Sequence, residues 1–151
     1  MKICRAANSL PFIARVTEIS GVPMLDGGMA DAIPLGKALE EGWKKIVVVV
    51  TRNTGYRKKQ RYFYLAMMRL LYRKYPKFVH MVRGRAEKYN RSLDLLEQLE
   101  EEGRAFVLRP AGNVRLANNE SDADRLREYY RHGYEVAEEK EKELRDFLEI
   151  N

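Results

Sequence analysis

Apolar positions along the chain change period several times, and each change marks an element. Ile13–Ile19 and Val22–Leu25 flank the turn pair Ser20-Gly21, which predicts two short strands joined by a tight turn. Pro34 and Gly42 bracket Leu35–Glu41 as a short helix. Lys45–Thr51 (KIVVVVT) is a continuous β-branched run, the pattern of a parallel strand buried on both faces. A basic helix is predicted over Lys59–Tyr75, with Phe63, Met67, Leu70, Leu71 and Tyr75 on its apolar side and Pro76 as its stop. A second helix is predicted over Val79–Glu102. Its stripe of Val79, Val82, Ala86, Tyr89, Leu93, Leu96 and Leu99 recurs at steps of three and four, and Gly103 caps it. Arg104–Arg109 reads as a strand closed by Pro110. Ser121 and Asp124 resemble a capping box opening a last helix that runs to Ile150, with a possible break at Gly133.

This order predicts a layered α/β fold. Only two of the strands, Lys45–Thr51 and Arg104–Arg109, suit a sheet core. A doubly buried strand needs neighbours on its edges and helices on both faces. The sheet is therefore expected to be incomplete, with further strands N-terminal to Met1 in a longer parent polypeptide.

Charge adds a partner question. The net charge is +6, but residues 42–86 carry thirteen Lys and Arg and no acid, whereas residues 87–151 sum to −6. A basic segment of this kind suits an anionic lipid surface, a nucleic acid, or an acidic face of the same protein. The acidic C-terminal third is the expected partner. No RNP, KH or helix-turn-helix signature supports nucleic-acid binding, and none is expected. No apolar run could span a bilayer, and Met1–Arg5 opens no signal-peptide core. The lone Cys4 excludes an internal disulfide, fits a reducing cytoplasmic compartment, and reads as a small apolar filler.

The chemistry-bearing motifs are few. None of Ser9, Ser20, Ser92 and Ser121 follows a glycine two residues earlier, so none sits in a G-x-S-x-G elbow. There is no P-loop and no dinucleotide fingerprint. His80 and His132 lie far apart and read as surface or helix-flank residues, so neither a metal nor a cofactor is expected. What remains is Asp26-Gly27-Gly28 directly after the strand Val22–Leu25. An aspartate at a strand's C-terminal end is where α/β enzymes place catalytic groups. Two following glycines allow positive φ and a tight turn. A plain Asp-Gly turn has the same letters. Asp31 is a second carboxylate, expected to bond backbone N–H groups at the start of the Pro34 helix.

The stretch Ala6-Ala7-Asn8-Ser9-Leu10-Pro11-Phe12, a short hairpin and then LDGGMADAIPL resemble the patatin-like phospholipase family, bacterial branch. Tyr89-Asn90-Arg91, Glu97–Leu108, Pro110 and Tyr129–Tyr134 look like that branch's C-terminal extension. The resemblance implies a patatin-like serine acyl hydrolase fold. Residues 1–56 would form the C-terminal part of the catalytic domain and residues 57–151 a mostly helical extension. It implies a lipid acyl hydrolase acting on an ester or phospholipid through a Ser–Asp dyad, with Asp26 as the aspartate, Gly27 and Gly28 as its turn, and no cofactor. Asn8 stands where many relatives have serine. The family's glycine-rich oxyanion loop and its elbow serine are absent here, so they are expected in the upstream part of the same polypeptide. The chain alone should be inactive. The alternative is a non-catalytic module that binds anionic lipid or protein. Arg57-Lys58-Lys59-Gln60-Arg61 and the aromatic helix after it suit peripheral contact with an anionic membrane. The simpler reading buries Phe63, Met67, Leu70 and Leu71 and leaves the cations in water.

Overall fold

The computed structural model describes residues 1–112, 116–117 and 120–149. In chain order the elements are α1 (Lys2–Ala7), β1 (Thr17–Ile19), β2 (Val22–Met24), a 3-10 turn (Gly27–Met29), α2 (Leu35–Glu40), β3 (Ile46–Val49), α3 (Tyr62–Leu71), α4 (Pro76–Arg83), α5 (Arg85–Glu101), β4 (Ala105–Leu108), α6 (Ala123–Glu139) and α7 (Glu141–Leu148). The chain is mixed α/β with small sheets. It forms two compact units, Met1–Leu35 with Lys58–Asp94 and Gly36–Arg57 with Leu95–Asn151. These interleave along the sequence, whereas the sequence reading divides the chain once, between residues 56 and 57.

In the first unit β1 and β2 pair antiparallel with Ile19 opposite Val22. That register leaves Ser20 and Gly21 as a two-residue loop, and both have positive φ, 51° and 78°. Both signs match the primed turn that suits strand twist. The strands are shorter than expected because Phe12, at φ 70°, turns the chain before Ile13, whose amide donates to the Leu10 carbonyl.

The core of this unit is Met29, Met68 and Val82, with Tyr64, Leu65, Tyr72, Phe78 and Met81 packed around it. The α3 register corrects the expectation. Met68 is fully buried, while Phe63, Leu70 and Leu71 are 82%, 64% and 57% exposed. Residues 62–72 are apolar on nearly every side, so periodicity alone does not choose a face. Aromatic contacts choose it: Phe12 meets Tyr64 and Tyr72 edge-on, with ring centroids 5.4 and 5.9 Å apart, and Tyr72 meets Phe78 at 5.1 Å. The reading that buries Phe63, Leu70 and Leu71 is therefore wrong.

Pro76 opens α4 at its first turn rather than merely stopping α3, which ends at Leu71. The single helix expected over 79–102 is two, broken at Gly84, whose amide bonds back to the Met81 carbonyl at 3.2 Å. The apolar stripe still runs inward, with Val82, Leu96 and Leu99 buried.

In the second unit β3 and β4 pair in parallel, Ile46 opposite Ala105 through Val49 opposite Leu108. Gly103, at φ 67°, turns the chain out of α5 into β4. The double burial expected of the valine run is not observed. Val47 and Val49 are exposed and alternate with half-buried Ile46 and Val48. Phe147 of α7 lies against Phe106, with centroids 5.6 Å apart, and Lys45 donates to the Phe147 carbonyl at 2.8 Å and to Glu149 at 2.6 Å. That ion pair holds the Glu149 carboxyl below its usual range, as hydrogen bonding from Arg57 does for Glu97.

Asp122, not Ser121, caps α6, accepting from the Asp124 and Arg125 amides at 2.9 and 3.2 Å. Gly133 interrupts nothing. The break falls at Lys140 instead. The expected helix end at Ile150 lies outside the described residues. The acidic third forms internal pairs such as Arg91–Glu87, Arg109–Glu100 and Arg145–Glu141. It also meets the basic middle, at Lys45–Glu149 and Arg57–Glu97, as the charge asymmetry led one to expect.

Candidate functional site

The Asp26 site is built from the segment before it. Ser9 is buried, and its hydroxyl lies 2.8 Å from the Arg5 carbonyl and 3.2 Å from the Thr17 hydroxyl. Its carbonyl accepts from the Asp26 amide at 3.0 Å. Ala6–Ser9, closing α1, thus pins the chain where β2 ends. Asn8 binds the Cys4 carbonyl through its side chain at 2.8 Å, which is a helix-end contact and not chemistry. Cys4 itself is exposed, so the filler reading fails.

Asp26 caps the 3-10 turn. Its Oδ1 accepts from the Gly28 amide at 2.7 Å, and its carbonyl accepts from Met29 at 3.1 Å. The half-buried carboxylate makes no other protein hydrogen bond among the described residues. Neither Gly27 nor Gly28 has positive φ, which corrects the expected role of the two glycines. Gly28 matters for space instead. A Cβ there would sit 3.1 Å from Asp26 Oδ1, whereas Gly27 has nothing within 4 Å of that position. The Gly28 carbonyl accepts from Arg85 Nε at 3.0 Å, which ties the turn to α5.

Gly28→Ala should therefore push the Asp26 carboxylate away by a few tenths of an ångström. A weakened cap costs about 0.5–2 kcal/mol, and a stiffer unfolded chain returns about 0.4–1 kcal/mol. The expected net destabilisation is about 1 kcal/mol or less. Thermal unfolding together with a crystal structure of the variant checks both halves.

Asp31 does not serve the Pro34 helix. Its carboxylate pairs with Lys88 Nζ at 3.1 Å, and no hydrogen bond from a backbone amide reaches it among the described residues. No serine lies on a strand-to-helix turn: Ser20 is in the hairpin loop, Ser92 is within α5, and Ser121 precedes α6. His132 Nε2 accepts from the Ala111 amide at 3.0 Å, a contact between loop and helix that its sequence position did not signal. No group of metal-ligating side chains occurs among the described residues. No helix among them is long and apolar enough to cross a membrane.

Two of the downstream residues that carried the resemblance hold backbone in place. Asn90 clamps Lys58, accepting from its amide at 2.7 Å and donating to its carbonyl at 3.1 Å. Tyr129 donates to the Thr51 carbonyl at 2.9 Å. Sequence reasoning also missed a groove between α3 and α4, lined by Leu65, Ala66 and Val79 and by Arg69, Arg73, His80 and Arg83, with a volume of about 740 Å³.

Residues 75–149 match the model of DUF6363, a domain of unknown function. That stretch begins at the residue before α4 and does not reach Asp26-Gly27-Gly28. No curated protein and no solved structure matches the chain.

Proposed function

We propose that this chain supplies the aspartate of a patatin-type lipid acyl hydrolase, whose serine and oxyanion loop come from sequence N-terminal to residue 1. One observation carries the reading. Asp26 stands at the end of β2, held through Oδ1 by the Gly28 amide, while Oδ2 has no protein partner among the described residues. A carboxylate anchored by one oxygen and open at the other suits a general base. The serine hydroxyl attacks the ester carbonyl and gives its proton to Oδ2. Backbone N–H groups hold the tetrahedral oxyanion. The alcohol leaves with that proton, and water resolves the acyl-enzyme.

The open sheet supports the same reading. A parallel pair with Val47 and Val49 exposed is unusual, because parallel sheets are ordinarily covered on both faces. Further strands and helices of a layered patatin-like fold would cover it. An ester or phospholipid is the proposed substrate, and the single cysteine favours a reducing, cytoplasmic setting.

The 151-residue chain alone should hydrolyse no ester. A short-chain chromogenic ester and a serine-reactive phosphonate test this together. Ser9 is buried with its hydroxyl already bonded, and no other serine occupies an elbow. Stoichiometric labelling of Ser9, Ser20, Ser92 or Ser121 contradicts the reading.

A further inference from the structure

The groove between α3 and α4 has no place in the dyad chemistry. Its lining is apolar at Leu65, Ala66, Pro76 and Val79 and cationic at Arg69, Arg73 and Arg83, with His80 beside them. No acidic residue occurs anywhere from 42 to 86. Among the described residues none of these three arginines has an ion pair, although most cations of the C-terminal third do. Three unpaired guanidinium groups around one concavity repel each other and are complementary to a phosphate.

The surface beside the groove narrows the choice of ligand. Tyr62, Phe63, Leu70 and Leu71 are all more than half exposed on α3. Exposed aromatics could stack on nucleobases, but two exposed leucines contribute nothing to stacking. Leucine and phenylalanine beside arginine instead match an interfacial helix, whose apolar side chains enter the acyl boundary while its cations meet headgroups. The geometry points to a binding site for the headgroup phosphate of an anionic phospholipid, with Arg69, Arg73 and Arg83 as its ligands and Phe63 and Leu70 as its membrane anchors. This site stands whether or not Asp26 is catalytic.

The test uses the whole 151-residue chain and two vesicle types, phosphatidylcholine alone and phosphatidylcholine mixed with phosphatidylglycerol. Binding is expected to the mixed vesicles only, and to weaken as salt rises. R69Q/R73Q should lower the affinity about thirtyfold, roughly fivefold for each cation removed near the surface. F63S/L70S, which keeps every charge, should lower it as well. K2Q/R5Q removes two cations from α1 and should leave it nearly unchanged. Circular dichroism confirms that each variant is folded. Equal binding to both vesicle types overturns the site, as does an R69Q/R73Q loss no larger than that of K2Q/R5Q, or F63S/L70S binding like the parent. Binding of inorganic phosphate or a single-stranded oligonucleotide through these arginines, without vesicle binding, overturns the lipid assignment.

Discussion

Asp26→Asn should lower kcat/KM about 10²–10⁴-fold in the polypeptide that carries both this chain and the serine elbow. The amide has the shape of the carboxylate but cannot take the serine proton. It can still accept from the Gly28 amide, because asparagine caps about as well as aspartate. The thermal midpoint should therefore hardly move. Asp31→Asn is the matched control. It breaks a half-exposed pair with Lys88, worth at most about 1 kcal/mol, and should leave turnover near the parent value. Steady-state kinetics and thermal unfolding of both variants separate the outcomes. Loss of activity in Asp31→Asn instead would move the site. Unfolding of Asp26→Asn would make Asp-Gly-Gly a structural turn.

The largest stability effect should come from Met68→Ala. Met68 is fully buried in the first unit's core, where truncating a large apolar side chain costs about 2–5 kcal/mol through lost burial and a residual cavity. In a chain of this length that lowers the thermal midpoint by roughly 5–15 °C. Leu71→Ala, three residues on and 57% exposed, should cost only about 0.5 kcal/mol. The register read from apolar spacing puts Leu71 inside and gives Met68 no core role, so the pair of variants measures the rotation of α3 directly. A costlier Leu71→Ala would restore the periodic reading.

How much was legible in the sequence follows from where each signal is local. Ser20-Gly21 and Gly103 act within a turn, through backbone conformations that few residues adopt readily, and both stand where expected. The strand identity of Ile46–Val49 was legible because β-branched residues crowd a helix. Its burial was not, because burial depends on what lies across the sheet. The rotation of α3 was illegible for a related reason. Its partners Phe12 and Phe78 are distant in sequence or in another helix, and nothing within residues 62–72 favours the Tyr64–Met68–Tyr72 row. At the candidate site, Asp26 at a strand end was legible and the job of the glycines was not. The letters suggested unusual φ, whereas Gly28 gives room to a carboxylate oxygen. The arginine groove went unread because Arg69 and Arg83 are fourteen residues apart on separate helices.

Asp26 is proposed to activate a serine that this chain does not contain. The most direct measurement is the rate and position of labelling by a serine-reactive phosphonate in the longer polypeptide, with Asp26 intact and with Asp26→Asn. Stoichiometric labelling of one serine is expected, inside a G-x-S-x-G motif N-terminal to residue 1, with a rate that falls about 10²-fold or more in Asp26→Asn. Equal labelling rates in the two proteins, or label on a serine within residues 1–151, would contradict it.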